Sequence, residues 1–163
     1  GPEGPGRWGA VMMILRVLIA VAVILQALSS FFPLLGNVLY KSGQAHIASG
    51  PAARMAPLWA ATPWWQLAVW LLGVLLLLVA AWRLVRRRPA LGFYAAAIVI
   101  NTGLNWIMQH GTVYREVFRD APAGFDFARL VILLLGGALI WWVEQQPARP
   151  SPIPSPANAE GPP

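Results

Sequence analysis

Tyr94, Asn101, Asn105 and Gln109 have the best claim to chemistry in this chain. Spacings of seven, four and four residues put them on one face of a helix. Their carboxamides and phenol donate and accept hydrogen bonds, but none carries a charge in the physiological range. The face therefore suits a carbonyl-bearing ligand such as a quinone or a lipid, and lacks a proton relay's ionisable centre. The competing account is association, because Asn and Gln inside membranes tie neighbouring helices together. Arg129 is the next candidate. It could attract an anionic substrate or lipid headgroup, or pair with Asp126 three residues earlier. His46 and His110 are possible axial ligands of a haem. Against that, His46 lies in a Gly/Ser/Ala stretch, whereas a haem pocket needs rigid helical placement. No cofactor and no metal are expected. No carboxylate pair and no Ser/His/Asp order sits in a catalytic context, so no catalytic residue is assigned and the chain reads as a non-enzyme.

The elements that position these residues follow from hydropathy. Trp64 to Trp82 reads WWQLAVWLLGVLLLLVAAW, without a charge. At 1.5 Å per residue it comes close to the roughly 30 Å of a bilayer's hydrocarbon core. Arg83, Arg86, Arg87, Arg88 and Pro89 make a basic turn, and a second apolar run covers 90–108. That hairpin is flanked by spans at 11–32 and 127–143. The spacing thus predicts an all-α, four-helix transmembrane bundle over 11–146. Residues 1–10 are expected to form a disordered leader, and 147–163 a disordered Pro-rich tail. A cleaved signal peptide is the rival reading of the first span, but its apolar run exceeds the 7–15 residues of such a region. Arg16, early in that span, is expected to snorkel to the headgroups.

Two interfacial segments are expected on the outer side. The connection 36–63 ends in Trp59, Trp64 and Trp65, residue types that rest at headgroup level. In the second, Tyr114, Val117 and Phe118 face one way while Arg115, Glu116, Arg119 and Asp120 face the other. Thr112 is the expected N-cap and Pro122 the stop. With both termini inside, the cytoplasmic side carries seven basic residues: Arg7, Arg16, Arg83, Arg86, Arg87, Arg88 and Arg149. The outer side carries five: Lys41, Arg54, Arg115, Arg119 and Arg129. The inner set includes the shortest loop, where the positive-inside rule weighs most, so the termini are placed in the cytoplasm of an inner-membrane protein.

Composition removes several function classes. Only 11% of residues are charged, against about 25% in soluble domains. The net charge of +6 is spread over helix ends, so no nucleic-acid partner is expected. The absence of cysteine excludes thiol–disulfide chemistry and iron–sulfur clusters in this chain. The stretch LGFYAAAIVINTGLNW, with the chain's nine tryptophans, resembles the tryptophan-rich sensory/translocator proteins. Those have five helices and a Trp-Pro-rich first loop; this chain departs by reading as four, and no function is carried over. Three functional expectations remain. The first is an accessory or assembly subunit of a larger membrane complex, with the bilayer and other membrane subunits or a second copy as partners. The second is a bundle that binds or transports a small molecule, lipid or quinone. The third is a haem-binding redox protein.

Overall fold

The computed structural model describes residues 5–46, 51–119 and 127–146. Six α-helices follow one another among these residues: α1 (Pro5–Lys41), α2 (Ala56–Ala61), α3 (Trp64–Val85), α4 (Leu91–Gln109), α5 (Thr112–Val117) and α6 (Phe127–Gln145). A 3-10 turn at Pro51–Met55 leads into α2. Among the described residues there is no strand, and α1, α3, α4 and α6 are long and apolar enough to cross a membrane. The chain is an all-α, multi-pass membrane bundle. Its two ends are named here by their residues: the arginine end, where the α3–α4 turn lies, and the loop end, covered by α2 and α5.

The first helix corrects the sequence reading at both ends. It begins at Pro5, so residues 5–10 are helical rather than a leader, and it runs nine residues past Phe32. Pro33 lies inside it. Proline removes only one main-chain hydrogen bond, that to the Ser29 carbonyl, and tertiary contacts hold the helix on its far side. There Lys41 donates to the Thr62 carbonyl at 2.7 Å and lies over the Trp64 ring. At 37 residues, α1 is roughly 55 Å long, well beyond the hydrocarbon thickness. Helix α3 likewise continues three residues past Trp82 and closes with a Schellman motif. Arg87, at φ 55°, donates to Leu84 and Arg88 donates to Arg83. The N-cap of α5 is Gly111, with no side-chain cap bond; Thr112 is already its first helical residue. Its amphipathic pattern is as read: Tyr114, Val117 and Phe118 are half-buried while Arg115, Glu116 and Arg119 are exposed. Asp120, Pro122, Asp126 and the tail 147–163 lie outside the described residues.

Antiparallel packing of α1 on α3 and of α3 on α4 makes the main body. Trp70 Nε1 donates to Ser30 Oγ at 2.7 Å between α1 and α3. Gly73 lets α4 close on α3, because a Cβ there would sit 3.2 Å from Asn101 Oδ1. The buried cluster is weighted to the arginine end, with Ile19, Val23, Leu77, Leu84, Tyr94 and Ala97 at its centre. From α6 only Ile140 and Val143, both near its C-terminus, belong to it.

Polar ties reinforce that end. Arg16, expected to snorkel to headgroups, instead donates to the Val143 carbonyl at 3.1 Å, satisfying an acceptor in the last turn of α6. One residue on, Glu144 Oε1 accepts the Ala90 and Leu91 amides. It acts as an N-cap for α4 supplied from another helix, and its charge complements the positive dipole end there. Ala90 has no capping side chain of its own. Glu144→Ala is accordingly expected to cost about 0.5–2 kcal/mol, read as a lower Tm in detergent. Glu144→Gln keeps an acceptor oxygen and should lose less.

Candidate functional site

Because α6 is held at the arginine end, its other half leaves room between itself and α1, α3 and α4. That room is a cleft of about 280 Å³, to which all four long helices contribute. Gln26, Ser29, Ser30 and Pro33 come from α1 and Trp70 from α3. Helix α4 supplies Asn101, Thr102, Leu104, Asn105 and Met108, and α6 supplies Arg129, Leu130 and Leu133. Asn101 is ten residues from the start of α4 and eight from its end, roughly 15 and 12 Å along the axis. The cleft therefore reaches the middle of the span. Arg129, two residues into α6, lines it together with Trp70. Trp70 lies six residues inward of Trp64, roughly 9 Å deeper along α3.

Three of the sequence candidates meet here: Asn101, Asn105 and Arg129. Tyr94 and Gln109 do not. The Tyr94 ring lies in a notch made by Gly136 and Gly137, and its hydroxyl donates to the Leu133 carbonyl at 3.0 Å. Its face is the one predicted, but seven residues carry it to the packed end, where it joins α4 to α6. Gln109 is half-buried at the last position of α4 and is not part of the lining. His110 is the C-cap of α4. It stacks on Trp106 at 4.2 Å, with Nδ1 2.8 Å from the Trp106 carbonyl oxygen. His46 is exposed beyond the end of α1. Among the described residues no three His, Cys, Asp or Glu side chains are grouped to hold a metal.

The α1 contribution escaped the sequence reading. Gln26 and Ser30 are four residues apart on one face of α1, which Pro33 continues three residues on, and this polar pair is carried within a strongly apolar span. One turn on, Asn37 is fully buried, and neither of its amide atoms has a hydrogen-bond partner among the described residues. The face would have been found by testing the first span for periodicity of its polar rather than its apolar residues.

The hydrogen-bonding state of this lining decides what it can do. Trp70 N–H is committed to Ser30, and Ser29 Oγ donates to the Gln26 carbonyl. The side-chain amides of Gln26, Asn101 and Asn105 and the Thr102 hydroxyl make no hydrogen bond to another described residue. A helix-tying Asn spends its amide on the neighbouring helix; these do not. Unspent amides inside a bilayer are costly, because hydrocarbon offers them nothing. The arrangement can take up a guest that presents hydrogen-bonding atoms at mid-membrane depth, with apolar side chains such as Leu104, Leu130 and Leu133 beside it.

Fold and site together define a four-helix membrane bundle with a polar cleft in its loop-end half. Compared with protein-family models, with curated proteins and with solved structures, the chain matches none.

Proposed function

We propose that this chain is an integral protein of the cell's inner membrane that binds a small amphiphilic molecule in the loop-end cleft. The observation that carries the reading is the unspent amides of Gln26, Asn101 and Asn105, gathered from two helices around one cavity. The binding-bundle expectation is preferred to the accessory-subunit one because these amides line a cavity and no other described helix of the bundle engages them in a hydrogen bond. The test is mild extraction of the full chain followed by native mass spectrometry. A discrete small-molecule adduct is expected. Bare protein, with no lipid enriched over the detergent extract, would contradict binding.

One observation favours association as well. Gly92, Ala96 and Gly103 recur at near-helical spacing on α4, and a Cβ on either glycine would meet nothing within 4 Å. Small residues on an exposed face allow a second membrane helix to approach closely. Self-association through this face is compatible with a ligand in the cleft, and Gly103→Leu would separate them by dissociating the oligomer without releasing the guest.

Orientation is part of the same proposal, with both termini cytoplasmic and the cleft in the outer half of the bilayer. The basic α3–α4 turn and Arg16 support it. A reporter fused after Pro163 should score as cytoplasmic and one inserted near Gly50 as external. The reverse pattern would place the cleft in the inner leaflet.

A further inference from the structure

We infer that the guest is anionic: a carboxylate or phosphate head carried on an acyl chain, with Arg129 reading its charge. The inference rests on the binding function proposed above and adds the chemistry of the head. Arg129 is the ionisable side chain in the lining, and no described Asp or Glu lines the cleft beside it. Arg129 is exposed two residues into α6, at the membrane-surface end of that helix, where a basic side chain attracts anionic lipid heads. Arg129 is already engaged in the structure, and a guanidinium's five N–H donors leave capacity for a further acceptor.

The rest of the lining can donate as well as accept. Asn101, Asn105 and Gln26 each offer an uncommitted NH₂ group and Thr102 a hydroxyl. Carboxylate and phosphate oxygens are acceptors, and charged acceptors take the strongest hydrogen bonds. A choline or amine head would bring a cation to the arginine and find no carboxylate in the described lining. The acyl chain has a way out. The loop-end half of α6 is packed loosely on the bundle, and Ile132, Leu134 and Leu135 are exposed along it. A lipid can therefore enter sideways from the leaflet, with its head drawn beneath the level of Trp64 and its ester carbonyls near the two asparagines.

The full chain, stripped of lipid in a neutral detergent, is titrated with five probes while Tm and bound mass are followed. The probes are oleate, phosphatidylglycerol, phosphatidylcholine, dioleoylglycerol and inorganic phosphate. Oleate or phosphatidylglycerol should bind at least about fivefold tighter than phosphatidylcholine and dioleoylglycerol, the effect of one basic side chain on an anionic lipid. Arg129→Gln should remove that preference and Arg129→Lys should keep most of it. Inorganic phosphate binding as well as the lipids would support the anion and identify its source as a free ion. Failure of phosphate alone would support the anion and identify the source as a lipid. Equal binding of dioleoylglycerol and phosphatidylglycerol would overturn the anionic head while leaving amphiphile binding intact. Should no probe bind at all, the proposed function itself falls. The comparison among probes on the unaltered chain decides the matter even if Arg129→Gln does not fold.

Discussion

Gly136→Ala is expected to destabilise the bundle by about 1–3 kcal/mol, the range for overpacking a well-filled site. A Cβ at this position would lie 2.5 Å from the Tyr94 hydroxyl oxygen and 3.3 Å from Cζ. Tyr94 is 2% exposed, so its ring has nowhere to swing, and α6 must lift from α4 instead. The same contact supplies its own control. Tyr94→Phe removes the oxygen that the new methyl meets, at the loss of the hydrogen bond to Leu133. Such bonds inside membranes average about 0.6 kcal/mol. Tyr94→Phe alone should therefore be mildly destabilising, while Gly136→Ala combined with it should be more stable than Gly136→Ala alone. The readout is a double-mutant cycle of thermal stabilities in one detergent. Additive losses would mean that α6 does not seat on Tyr94.

The largest effect on function is expected from Asn101→Leu with Asn105→Leu. Were these residues ties between helices, each change would lose a hydrogen bond. Here they have none to lose, and Leu inserts better than Asn, so the variants should be as stable as the parent or up to about 1 kcal/mol more stable. Binding should move the other way. Two hydrogen bonds to a guest, at about 0.5–1.5 kcal/mol each, correspond to a loss of affinity between about fivefold and about 150-fold. A more stable protein that has lost its guest is the signature of a site. A less stable one that keeps it would restore the asparagines to a structural role.

The spans at 64–82 and 90–108 were legible because hydropathy and length set them, and the structure ends them within three residues of those limits. The end of the first span was not. The expected span closed at Phe32, just before Pro33, yet one missing N–H is a small loss when Lys41, eight residues on, is fastened to Thr62. The site was half legible for a related reason. Periodicity placed Asn101 and Asn105 on one face, but a helical face extends along the whole helix while a cleft occupies only its unpacked part. Where α6 leaves the bundle depends on Arg16, Glu144 and the Gly136–Gly137 notch. These contacts join residues 39 to 127 positions apart, beyond any local pattern. Glu144, the acid that caps α4, carries no motif in sequence. Its role exists only because Ala90 arrives beside it.

Whether a guest occupies the cleft is tested most directly by protection of single cysteines, which the cysteine-free chain permits without background. Thr102→Cys puts a thiol in the lining. Arg86→Cys puts one in the exposed α3–α4 turn, outside the cleft and the membrane-spanning helices. A total lipid extract, added back to stripped protein, should slow maleimide labelling of Thr102→Cys and leave Arg86→Cys unchanged. Equal slowing at both positions, or none at Thr102→Cys, would contradict a bound molecule in the cleft.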